Sequence, residues 1–242
     1  MLIYWLATPM MAVAALYIAA ALLPAVFLLR YIYKQDTVEK EPPALLGRLL
    51  IMGVLAALCA GAAESLLEPL LQRLINPNRP LYVIVLAFAI VGVAEEGAKF
   101  FFLKRCTWND PNFNFRFDAM VYSVFVSLGF AAVENIRYVL SFGLSVALPR
   151  ALFAIPGHMC FAVFMGLFYG RAKLCEGLGD AWGMQKNLRR AYFAAVLLHG
   201  FYDACAMLNT TASMVVFLVF VFLMYRRAFR LIRQESATDA PV

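Results

Sequence analysis

Charge is scarce in this 242-residue chain: 15% of residues are Asp, Glu, Lys or Arg, whereas 64% are hydrophobic and the mean hydropathy is +0.77. A soluble domain carries about a quarter charged residues, so a water-soluble globule is excluded. Cysteine is also sparse. The five cysteines form no CxxC or zinc-finger spacing, and their odd number, scattered through apolar runs, provides no disulfide framework. Internal repeats and low-complexity tracts are lacking as well. The net charge of +6 does not gather into one patch or stripe, because the basic residues flank apolar segments, and this excludes nucleic acid as a partner. Histidine is rarest of all, with two in the chain.

What is abundant is apolar length. Seven stretches, at 8–33, 45–71, 81–103, 118–140, 151–172, 188–208 and 211–225, approach the roughly 20 residues that cross hydrocarbon as a helix. None alternates as a barrel strand would, and in lipid each backbone group must bond within its own segment, so these stretches are expected to be helices. Breakers separate them at Glu41-Pro42-Pro43, Asn76 to Pro80, Asn109 to Asn112 and Leu148-Pro149. The expected fold class is all-α: one polytopic helical membrane domain over 1–242, with about seven transmembrane helices embedded in the lipid bilayer. The first span follows no basic residue and is too long for a signal-peptide core, so it is expected to be retained. Sixteen of the 21 basic residues fall on one side of such a bundle, including Arg30, Lys104, Arg171 and Arg226. Four, Arg73, Arg79, Arg137 and Arg150, fall on the other, and Lys99 lies inside a span. The positive-inside rule then puts the N-terminus outside and the C-terminus in the cytoplasm.

An ionised side chain at mid-membrane costs about 2.5–3.5 kcal/mol on insertion scales, so an acid or histidine there points to function. The third span holds Glu95, Glu96 and Lys99. The fourth starts at Asp118 and carries Glu134-Asn135, the fifth has His158, and the sixth has His199 and Asp203. His199 and Asp203 are four apart, on one helix face, a spacing at which both could converge on one ion. Two imidazoles and a carboxylate match an open catalytic zinc site, which leaves the fourth position to a water. Glu95-Glu96, two adjacent buried acids, suit a general base.

Simpler readings exist for each residue. Glu95 and Lys99 have the i, i+4 spacing of plain mutual neutralisation, and a single histidine among apolar residues is commonly a hydrogen-bonded packing residue. Two histidines and four acids over spans three to six exceed what packing needs. Glu64 and Glu68 in the second span are expected to reach the outer surface and be solvated. Cys160 and Cys205, beside the histidines in sequence, are read as packing. Counted from the outer span ends at about 1.5 Å per residue, Glu134, His158, His199 and Asp203 lie about 8–14 Å deep, whereas Glu95 lies about 21 Å from Leu81. One layer is expected for the first four, with Glu95 out of level.

These residues resemble the PrsW family of intramembrane proteases, which is grouped with the type II CAAX prenyl endopeptidases. The resemblance is carried by Glu95-Glu96-Gly97-Ala98-Lys99 as EExxK, Phe130 to Glu134 as FxxxE followed by Asn135, His158, and His199 to Asp203 as HxxxD; Asp36 to Pro42 is similar to the acidic, proline-containing stretch after the family's first helix. It covers about 30–205. Asp118-Ala119 departs from the Asp-Gly expected there, a difference that touches helix packing more than chemistry. The resemblance implies a multi-pass endopeptidase of the bacterial cytoplasmic membrane with a catalytic core over about 81–208, cutting a membrane-anchored protein such as an anti-sigma factor at its first site. It implies Glu95 and Glu96 as essential acids, one activating water, with Lys99 in the same motif. His158 and His199 would bind zinc or polarise the water, joined by Glu134 or Asp203. In the related prenyl endopeptidases a Glu/His set can act without tightly held zinc.

Two other functions fit part of the pattern. A proton- or cation-coupled transporter also needs intramembrane Glu, His and Asp, but the two halves show no repeat symmetry. A non-catalytic membrane scaffold could retain the histidines, but the intact acid pair argues against it.

Overall fold

The computed structural model describes residues 2–242, with side chains from residue 15 onward. It is a bundle of seven helices: α1 (Leu2–Gln35), α2 (Pro43–Leu74), α3 (Pro80–Thr107), α4 (Asp118–Phe142), α5 (Leu144–Gly177), α6 (Ala181–Leu208) and α7 (Thr211–Ala237). Each expected span falls within one helix; side chains 8–14 of the first lie outside the described residues. α1 to α6 are long and apolar enough to cross a membrane. α7 is not among them: its apolar run stops at Tyr225, and the helix continues through Arg226, Arg227, Arg230 and Arg233. The molecule is an all-α polytopic membrane protein.

The sequence punctuates these helices by familiar means. Proline begins α2 and α3, where the missing N–H costs nothing. Asp180 caps α6 by accepting from the Gly183 N–H at 2.8 Å, and Thr210 and Ser213 form a reciprocal capping box on α7. The Leu148-Pro149 break expected before the fifth span is not a break. After Gly143, whose φ of 81° suits glycine, the chain restarts at once and carries Pro149 within the irregular first turns of α5, ahead of a π-turn at Arg150–Ala154. A second π-turn, Leu86–Gly92, lies in α3 just before Glu95.

α4 is the central helix, packed against α1, α2 and α5; α6 lies on α5, and α7 on the outer side of both. Close approach depends on small residues. A Cβ at Gly166 of α5 would come within 2.5 Å of Met120 Cα and Ser123 Oγ on α4. Hydroxyls then tie the two helices, Ser123 Oγ donating to the Ala162 carbonyl at 2.8 Å and Ser127 Oγ to the His158 carbonyl at 2.9 Å. At one pole, where α4 begins, residues 239–242 lie against the α3–α4 loop: the Phe117 N–H donates to Asp239 Oδ1 at 2.8 Å and the Val242 N–H to the Asn114 carbonyl at 3.0 Å.

Candidate active site

The polar residues of the third to sixth spans converge, away from the α4 N-terminus. α3 supplies Glu95, Glu96 and Lys99, α4 Glu134 and Asn135, α5 Arg150 and His158, and α6 His199 and Asp203. α3 and α6 come close because residue 200 is glycine: a Cβ there would overlap the Phe88 ring, and its absence lets the neighbouring His199 reach Glu96. For His158 the expected difference in depth disappears. α5 starts at Leu144 and not at 151, so the run from Leu144 to His158 nearly equals that from Pro80 to Glu95.

Lys99 is the hub. Its Nζ donates to Glu96 Oε1 at 2.7 Å, to Glu95 Oε2 at 3.1 Å and to His158 Nδ1 at 3.2 Å, and it lies 3.9 Å from the centre of the Phe130 ring. Because His158 Nδ1 accepts from an ammonium, its Nε2 carries the proton and donates to Glu134 Oε2 at 2.8 Å. His199 donates from Nδ1 to Glu96 Oε1 at 2.8 Å, has Glu95 Oε2 at 3.8 Å, and presents Nε2 to Asp203 Oδ2 at 3.3 Å. The two imidazoles stand nearly perpendicular, 5.4 Å between centres, and Phe161 stacks on His199 at 4.8 Å. Glu95, Glu96, Lys99, His158 and His199 are all buried. The centre nevertheless opens onto a cavity of about 530 Å³ lined by Glu64, Glu95, Glu134, Arg150, His158, His199 and Asp203, among others. Glu96 does not line it.

Of the expected metal ligands, His158 and His199 belong, with Glu95 and Glu96, to a group whose ligand atoms lie within 4.8 Å of one another. Glu134 and Asp203 lie outside that group, each against Nε2 of one imidazole. Carboxylate and imidazole donors are those zinc takes. The buried Glu96 Oε2 has no hydrogen-bond partner among the described residues, which leaves one acceptor ready for a cation or water. The residues therefore fit a metal. Three of the four donors already hold the Lys99 ammonium, so a metal drawing on them would do so at the expense of Lys99. Cys160 and Cys205 are buried free thiols outside the group.

Two site residues escape the sequence reading. Glu64, expected to be solvated, lines the cavity with one oxygen buried and without a partner among the described residues; Glu68 lines it too and accepts from Tyr82 Oη at 3.1 Å. The cost of an acid inside an apolar span was the available signal for Glu64. Arg150 is counted in the sequence with the loop charges, but it lies in the cavity wall with Nη2 3.3 Å from Glu134 Oε2. Asp118 stands apart, at the other pole, its carboxylate accepting from the Asn114 and Phe115 N–H groups.

The sequence profile described as PrsW family intramembrane metalloprotease matches residues 41–226. The chain belongs to the PrsW family. Its relatives include Protease PrsW of Bacillus subtilis (strain 168), 30% identical over 207 residues that make up 85% of this chain and 90% of the relative. Protease PrsW of Halalkalibacterium halodurans is 30% identical over 229 residues, 92% of this chain and 98% of the relative, and that of Geobacillus kaustophilus is 33% identical over 196 residues, 77% of each. No solved structure matches. A PrsW-family chain with six helices long and apolar enough to cross a membrane is a multi-pass protease of the bacterial cell membrane, and its substrate is a protein in that membrane.

Proposed function

We propose that this protease hydrolyses a peptide bond of a membrane-anchored protein with a water activated by Glu95. One observation supports Glu95 over its neighbour: Glu95 faces the cavity together with His158 and His199, whereas Glu96 is fully buried behind it, bound to Lys99 and His199. In this reading Glu95 takes a proton from water as the oxygen attacks the scissile carbonyl. The C–N bond breaks on collapse, and the same proton passes to the leaving nitrogen. Glu96 fixes Lys99 and His199, and Glu134 and Asp203 orient the two imidazoles from their far nitrogens. A zinc ion held by His158, His199 and the glutamate pair would supply Lewis acidity and lower the pKa of a bound water.

The whole chain acts as one protease domain with its core over about 81–208, N-terminus outside and C-terminus cytoplasmic. This orientation makes α7, which follows α6 at the cavity end and finishes against the α3–α4 loop, a seventh crossing despite its basic second half. The cavity is reached from the end where α2 leaves and α3 enters the bundle, which this orientation makes the outer end. That suits first-site cleavage of an extracytoplasmic segment, as in an anti-sigma factor.

The test compares Glu95→Gln with Glu96→Gln in purified protein. Glu95→Gln should lower kcat on a membrane-anchored reporter by about 10²–10⁴-fold at unchanged thermal stability, the usual worth of a general base. Undiminished cleavage by Glu95→Gln would refute the assignment. Elemental analysis should find about one zinc per chain, lost in His199→Ala; full activity in metal-free protein would leave Glu95 and the imidazoles to act without it.

A further inference from the structure

Through Arg150, which belongs to none of the motifs, a chain of polar contacts runs from the His158 imidazole to the first helix. His158 Nε2 donates to Glu134 Oε2 at 2.8 Å, and the same oxygen lies 3.3 Å from Arg150 Nη2, an ion pair without the alignment of a hydrogen bond. Arg150 Nε donates to Asn135 Oδ1 at 2.6 Å, and Asn135 Nδ2 donates to the Ala21 carbonyl of α1 at 2.7 Å. The guanidinium carbon also sits 3.9 Å from the centre of the Tyr138 ring. Asn135 is completely buried. No ordinary packing need explains this arrangement: a buried amide with both ends committed, next to a largely buried arginine, is expensive in a membrane bundle unless it fixes something.

We propose that Arg150 is a positioning residue for the reaction, holding Glu134 where it accepts from His158 Nε2 and so fixing the orientation of an imidazole whose tautomer Lys99 sets, and that Asn135 aims Arg150 by anchoring it to α1. The π-turn at Arg150–Ala154 is what brings the side chain to this point at the mouth of α5. The fork geometry matters as well as the charge. Nε and Nη2 serve two different acceptors on adjacent residues of α4, which a lysine ammonium at the same position would not span. The consequence for catalysis rests on the proposed hydrolase reading, but the consequence for His158 does not.

That separation determines the experiment. The chain contains two histidines, so protein labelled with ¹⁵N-histidine gives two sets of imidazole signals, which His199→Gln assigns. In Arg150→Lys and Asn135→Ala the His158 Nε2–H signals should shift as the bond to Glu134 weakens while those of His199 stay in place. Cleavage should fall at least tenfold in kcat with KM nearly unchanged. Arg150→Lys should stay well below wild type despite its charge, and Glu134→Gln with Arg150→Lys should be no worse than Glu134→Gln alone. Unchanged His158 signals in folded Arg150→Lys would overturn the proposal whether or not the wild type cleaves. Equal shifts at both histidines would also overturn it, since they would mark a general loosening. Absence of cleavage by the wild type with the His158 shift intact would refute the hydrolase reading and spare this one.

Discussion

Carboxylates are buried at both poles of the bundle, but they are treated differently. At the active site the acids around the imidazoles, Glu64 on the cavity wall apart, each have a cationic or imidazole partner: Glu95 and Glu96 share Lys99, Glu134 has His158 and Arg150, and Asp203 has His199. At the other pole Glu41 accepts from the Tyr122 hydroxyl at 2.7 Å, Asp118 from two backbone N–H groups, and neither oxygen of the buried Asp36 has a hydrogen-bond partner among the described residues, although Lys40 donates to its carbonyl. Burial pushes the Asp36 carboxyl up to about 6, Lys40 partly offsetting it, and burial likewise raises Glu41 to about 7 despite its bond from Tyr122. A network balanced by cations can keep its acids ready for proton transfer beside a cavity. One built on neutral donors holds its acids best when they are protonated, which is a structural task.

The sharpest way to break this contrast is to remove the cation that balances the site. Lys99→Met leaves Glu95 and Glu96 buried together and should cost about 3–5 kcal/mol, the usual penalty for orphaning a buried charge, read as a large fall in Tm in detergent. Adding Glu96→Gln to Lys99→Met should recover part of that loss, and a double-mutant cycle measures how much. Failure to recover any would show that the two do not compensate each other.

At the opposite pole the sign reverses. Asp36→Asn removes an uncompensated carboxylate and should stabilise the protein at neutral pH by on the order of 1–2 kcal/mol. Because Asp36 and Glu41 bind protons more tightly folded than unfolded, their contribution is present at low pH and lost as pH rises through about 6 and about 7. Tm should therefore decline from about pH 5 to pH 8 in wild type and less steeply in Asp36→Asn with Glu41→Gln. A flat wild-type profile would show the two poles to be alike.

The smallest effect concerns the terminal segment. Asp239 Oδ1 accepts from the N–H of Phe117, the residue just before α4, so Asp239→Ala should cost about 0.5–2 kcal/mol as a lost contact at the helix start, with no change in kcat. A fall in kcat at unchanged Tm would instead couple this pole to the active site along α4.

Much of the molecule was legible before its coordinates. Apolar length and missing charge dictate membrane helices because no other structure satisfies the backbone in lipid, and the insertion cost of Glu95, Glu96, Glu134, His158, His199 and Asp203 marks them for function wherever they fold. What sequence could not supply is level and direction. The start of α5 at Leu144 depends on the chain restarting after Gly143, and that start puts His158 level with Glu95 and turns Arg150 into the cavity. Likewise a pair of adjacent glutamates carries no sign of which one faces the cavity. Only the crossing of α3 and α6, set by Gly200 against Phe88, gives Glu95 to the cavity and Glu96 to Lys99 and His199, because the rotation of a helix about its own axis is fixed by its neighbours.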